Sequence, residues 1–160
     1  NLRLLPVRIR TASPIRNTIV ETFNSSGIIK YDPFRGRMKK KTNWWAVVEV
    51  DKEITRYFRY WIMKEKWVDL CKPSWDAHIS IIRGERPFKD KEHLWKKYDG
   101  LEIEFEYELN VRQTGDTTGG DRPSHYWFVT VHCPLLKQIR QGFGFPSDWN
   151  QHLTIGRTWE

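Results

Sequence analysis

Cysteine is scarce in this chain of 160 residues: Cys71 and Cys133 are the only two, and neither belongs to a Cys-x-x-Cys pair. That spacing excludes a disulfide framework and the common zinc-ribbon arrangement, and a reducing compartment is the simpler setting. Long apolar runs are missing too. No stretch is long enough to cross a bilayer, and the amino end has no apolar signal core with a small-residue cleavage site. The expectation is a soluble, cytoplasmic protein with no membrane partner. The turn-rich segment from Thr114 to Ser124 lacks the Gly-Lys-[Ser/Thr] ending of a phosphate-binding loop, so it reads as a hairpin tip.

What is present is positive charge and tryptophan. Lys and Arg total 27 against 20 Asp and Glu, for a formal net charge of +7. Long-range attraction to polyanions follows. The nine tryptophans suit a core with wet edges, some of them available to stack bases. The length suits one domain spanning residues 1–160, or two lobes sharing one core.

Residues 1–26 alternate basic, apolar and turn-forming residues, with Pro6 and Pro14 against a long helix, and read as an extended arm. Gly27 to Tyr31 reads as a short strand, followed by the basic run Arg35, Arg37, Lys39, Lys40 and Lys41, a solvated loop or a phosphate-attracting rim with Tyr31 and Phe34 beside it. Residues 44–50 read as a buried strand. Asp51 then caps a helix whose core stripe is Ile54, Tyr57, Phe58, Trp61 and Ile62, leaving Lys52, Arg56, Arg59 and Lys64 for the wet side. From Glu102 to Val111 apolar residues alternate with Glu102, Glu104, Glu106 and Glu108, the pattern of an antiparallel strand with a solvated acidic face. A strand at 126–133 and a helix opened by Pro134 follow.

One hexapeptide returns 74 positions further on: His78-Ile-Ser-Ile-Ile-Arg83 is echoed by His152-Leu-Thr-Ile-Gly-Arg157. A β-branched run of this kind reads as a strand, and a strand sends residues i and i+2 to one face. Each copy then presents an imidazole beside a hydroxyl. The two copies close two similar units of strand, helix and motif strand, and facing lobes would bring them to the floor of a shared cleft. The spacing argues against simple hairpin neighbours. Two imidazoles and two hydroxyls are the parts for phosphodiester cleavage without a metal: one neutral base, one protonated acid, and donors for the phosphate oxygens.

The paired His-x-[Ser/Thr]-apolar motif, His78-Ile-Ser-Ile81 and His152-Leu-Thr-Ile155, resembles the signature of the 2H phosphoesterases, which include RNA 2′,3′-cyclic phosphodiesterases and viral enzymes that destroy cyclic or oligomeric nucleotide signals. The likeness covers residue 44 to the end. It implies an α+β, two-lobed fold with two antiparallel sheets and flanking helices around a central cleft. It further implies catalytic roles for His78, Ser80, His152 and Thr154, no cofactor, and a cyclic nucleotide, cyclic oligonucleotide or RNA end as substrate. A viral member would work in the host cytoplasm, against cyclic-oligonucleotide defence signals.

In an unbroken strand Arg83 and Arg157 lie an odd number of residues from their histidines, on the opposite face. Gly156 permits a bend in the second copy, so Arg157 is the better phosphate ligand. Tyr31, Trp75, Tyr126 and Trp159 are candidate stacking residues, whereas His93, His125 and His132 have no partner at ligand spacing. The competing class is a non-catalytic RNA-binding domain that uses the same basic and aromatic residues.

Overall fold

The computed structural model describes residues 10–11, 20–34, 42–73, 75–114 and 124–159; the basic run 35–41, most of the expected hairpin tip and the Trp159 side chain lie outside them. The strands are β1 (Arg10–Thr11), β2 (Glu21–Tyr31), β3 (Trp45–Val50), β4 (His78–Arg83), β5 (Glu102–Glu108), β6 (Arg112–Gln113), β7 (Ser124–His132) and β8 (His152–Trp159). Two α-helices, α1 (Lys52–Lys66) and α2 (Pro134–Gly142), and a 3₁₀ turn at Lys89–Leu94 complete the chain.

The fold mixes α and β around one antiparallel sheet that closes on itself. Its order runs β2-β3-β4-β8-β7-β5, and β5 returns to pair with β2. Closure leaves a six-stranded, barrel-like ring, with β1 and β6 as short additions on β2 and β7. Gly27 makes the closure possible. It pairs with Val50 on one edge and Ile103 on the other, and a Cβ there would lie 2.6 Å from the Glu49 carbonyl oxygen.

Three expectations change. The two motif strands are direct neighbours in this one sheet, not floor strands of two separate sheets: Ile79 of β4 pairs antiparallel with Leu153 of β8. The first 26 residues are not all arm, because Glu21 to Ser26 form the start of β2, where Thr22 to Ser26 pair with β5. Glu108 does not join a solvated face. It is 7% exposed, with its carboxylate 2.8 Å from His132 Nε2.

The helices form where the sequence places them. The Asp51 side chain accepts from the Glu53 N–H at 2.9 Å, satisfying one of the orphan donors of the first turn, and Trp67 ends α1 in the left-handed region at φ 57°. Ile54, Phe58 and Ile62 are buried, while Tyr57 is half-buried and Trp61 is exposed, so the core stripe is narrower than the periodicity implies. In α2, Pro134 costs no helix bond at the first turn, and Leu136 and Ile139 are buried. These side chains join Ile79, Ile81, Leu153 and Ile155 in one continuous core. Burying each such aliphatic side chain stabilises by roughly 1.5–3 kcal/mol. The opposite face of β4 and β8 is left to the cleft. No helix among the described residues is long and apolar enough to cross a membrane.

Candidate active site

Alternation along β4 and β8 puts Ile79 and Leu153 in the core and turns the flanking residues outward. Continuing the Ile79–Leu153 register by one residue sets His78 opposite Thr154 and Ser80 opposite His152. Four side chains thus form a square with approximate two-fold symmetry. Diagonal positions on an antiparallel pair are about 7–8 Å apart, so the two imidazoles can flank one phosphate. All four line an open cavity of about 1020 Å³.

Each histidine is held in the same way. His78 Nδ1 lies 2.7 Å from the Asp76 carbonyl oxygen, and His152 Nδ1 lies 3.1 Å from that of Asn150. A carbonyl only accepts, so Nδ1 carries the proton in both rings. The lone pair of each neutral ring is therefore on Nε2, the nitrogen that can take or return a proton. Aromatic neighbours fix the ring planes further: Trp75 stacks on His78 at 4.2 Å, and Phe128 meets His152 edge-on at 5.5 Å.

Both arginines also reach the cavity. Ala46 pairs with Ile82 but Val47 with Ser80, leaving Ile81 as an extra residue in β4. Trp127 pairs with Gly156 but Phe128 with Thr154, leaving Ile155 as the extra residue in β8. The extra residue stands third after the histidine in each copy. A bulge of one residue inverts the parity beyond it, so Arg83 and Arg157 share the histidines' face. The odd spacing between histidine and arginine therefore does not put them on opposite faces in either copy. Opposite Arg83 stands Trp45, its ring 5.8 Å from the guanidinium carbon, and opposite Arg157 stands Tyr126 at 6.0 Å. Arg157 Nη1 also donates to the Tyr126 hydroxyl at 3.4 Å.

Of the residues singled out in the sequence, His78, Ser80, His152, Thr154, Arg157, Trp75 and Tyr126 come together here. Tyr31 does not. Its ring is buried in the core against Trp95 at 4.9 Å and Phe143 at 6.5 Å, because β2 turns that position inward. Sequence reasoning missed Trp45, Phe128, Thr130, Arg112, Lys137 and Trp149, all of them lining residues. Cross-strand pairing selects Trp45, Phe128 and Thr130, and a single sequence carries no pairing signal. His132, read as inert, lines the cavity while bonded to Glu108.

Cys133 lines the same cavity, but burial raises its thiol above the ordinary range and its Sγ approaches the Glu104 carbonyl oxygen at 3.6 Å. A neutral, buried thiol is a poor nucleophile. Among the described residues no group of three or more His, Cys, Asp or Glu side chains is gathered for a metal ion. The arrangement offers two imidazoles, two hydroxyls and two guanidinium groups lining one cavity. Set against known proteins, the chain matches no family model, no curated protein and no solved structure.

Proposed function

We propose that the chain is a metal-independent phosphodiesterase of the 2H type that cleaves a nucleotide phosphodiester by two-histidine acid–base catalysis. The observation that carries this reading is the antiparallel register between the two motif strands, which sets His78, Ser80, His152 and Thr154 on one face around a single point. One imidazole Nε2 takes the proton of the attacking oxygen, and the other gives a proton to the leaving oxygen. The Ser80 and Thr154 hydroxyls, with Arg83 and Arg157, hold the nonbridging oxygens as charge shifts between them. Water is the nucleophile for a 2′,3′-cyclic phosphate; the substrate's own 2′-hydroxyl can serve in an oligonucleotide.

The repeated units β3-α1-β4 and β7-α2-β8 support reading the closed sheet as a two-lobed, 2H-like fold. An aromatic residue beside an arginine on each side of the square supports a substrate with a nucleoside on both sides of the phosphate, and a cavity of about 1020 Å³ has room for it. A cyclic oligonucleotide signal, as degraded in viral evasion of host defence, meets that description.

The test is incubation in EDTA with a 2′,3′-cyclic mononucleotide, a cyclic dinucleotide and a short RNA, repeated with His78→Ala and His152→Ala. Turnover that survives EDTA and vanishes in both variants supports the enzyme. Binding of all three without turnover supports a non-catalytic RNA-binding domain, and turnover abolished by EDTA contradicts the metal-independent mechanism.

A further inference from the structure

We propose that Arg59 and Arg140 are positioning residues exchanged between the two repeated units, each holding the bulge that turns the other unit's arginine into the cleft. The inference rests on the phosphate-binding role given to Arg83 and Arg157 above. Arg59 belongs to α1, yet its Nη1 donates to the carbonyl of Ile155, the extra residue of β8, at 2.8 Å. Arg140 belongs to α2, yet its Nη1 donates to the carbonyl of Ile81, the extra residue of β4, at 2.9 Å. The helices cross in the same sense, α1 packing on β8 and α2 on β4. Two unrelated accidents would not select the equivalent carbonyl in both copies.

The physical need is plain. A bulge drops its extra residue out of the ladder, and a carbonyl stranded beside the core is costly unless another donor reaches it. A guanidinium supplies that donor on a long stem without breaking the helix that carries it. Arg140 is 3% exposed and is itself fixed, with Nε donating to the Pro146 carbonyl at 2.7 Å and Nη1 and Nη2 donating to the Glu85 carboxylate at 2.8 and 2.9 Å. Arg59 is less enclosed, and its stem runs beside Gly156, where a Cβ would meet Arg59 Cδ at an ordinary contact distance of 3.5 Å. Beyond the bulge, Cys71 bonds both the Arg157 N–H and its carbonyl, so the backbone of Arg157 is held from Ile155 onward. Each cleft-facing arginine thus depends on a side chain from the helix of the other unit.

Inorganic phosphate is the probe, followed by NMR of the imidazole signals in the full chain, because binding is read without turnover. Arg157→Ala is expected to weaken phosphate by about tenfold, the loss of one charge-assisted contact. Arg59→Gln, too short to reach the Ile155 carbonyl, is expected to lose a similar factor, and the double variant no more than Arg157→Ala alone. Arg59→Lys regains a donor and restores affinity. Arg56→Ala, which removes an exposed charge of the same helix, leaves it unchanged. Should the glutamine variant not fold, Arg59→Met keeps the packing of the stem and takes its place in the cycle. Losses that multiply in the double variant, or an Arg59 variant that binds like the wild type, overturn the proposal. A chain that follows this cycle but cleaves no phosphodiester keeps the positioning role and loses the enzyme reading; one that cleaves but shows multiplied losses does the reverse.

Discussion

Ile79 of β4 faces Leu153 of β8 across an antiparallel pair, and that register decides which side chains meet on the other side of the sheet. With the two apolar residues in the core, the histidine and hydroxyl of each motif are forced outward and together. A slip of one residue by either strand would turn that strand's imidazole toward the core and separate it from its partner.

The arginines are expected to act in substrate binding more than in proton transfer. Arg83→Ala and Arg157→Ala should each lower kcat/KM by about tenfold to a hundredfold, the worth of a charge-assisted bond to phosphate, with the pH profile unshifted in shape. Steady-state kinetics across pH checks this. An effect confined to Arg157 would mean that the β4 bulge does not bring Arg83 to the phosphate.

Gly156→Ala should destabilise the chain and disturb Arg157. The added Cβ would lie 2.7 Å from the Cys71 carbonyl oxygen, which accepts from the Arg157 N–H, and 3.0 Å from the Cβ of buried Leu70. The expected cost is about 1–3 kcal/mol, typical of overpacking, read by chemical denaturation. Gly142→Ala, with open space around its Cβ position, is the matched control and should be neutral or slightly stabilising.

Acid should weaken the clamp on β4. The hydrogen bonds from Arg140 hold the Glu85 carboxyl below its ordinary range. A carboxyl lowered on folding stabilises the fold above its unfolded pKa, and that contribution is lost as pH falls through the folded value. Glu85→Gln should therefore cost about 1–3 kcal/mol at neutral pH, because the buried Arg140 charge loses its counter-ion. The gap in melting temperature between the two proteins should close below the ordinary carboxylate range of about pH 4. Thermal melts at a series of pH values decide it. A gap that widens in acid would contradict the assignment.

Tyr31→Phe should leave turnover unaltered, since the ring packs against Trp95 and Phe143 on the core side. Trp75→Leu should lower kcat instead, because it removes the ring stacked on His78 at 4.2 Å. Parallel assays of the two variants separate a core aromatic from one that orients the imidazole.

The square itself was legible because strand periodicity is two, and His78, Ser80, His152 and Thr154 obey it. The bulges were not. Gly156 hints at a bend in β8, but Ile81 and Ile82 mark nothing in β4, and parity arguments presume that no residue is inserted. Helical periodicity put Arg59 on the wet side of α1, whereas the residue is half-buried. Only a carbonyl stranded on a neighbouring strand draws its head group inward. Tyr31 was misplaced because the strand containing it begins ten residues before the basic run's flank, at Glu21, and its inward face is set by pairing with β3 and β5.

Most direct is kcat/KM in EDTA, on whichever phosphodiester the wild type cleaves, for His78→Ala, His152→Ala and the double variant. Each single change should remove about 10²–10⁴ of the rate, the usual worth of a general acid or base, and the double variant should lose little more because the two imidazoles act as a unit. A single variant that keeps most of its activity, or penalties that multiply in the double variant, would contradict the two-histidine mechanism.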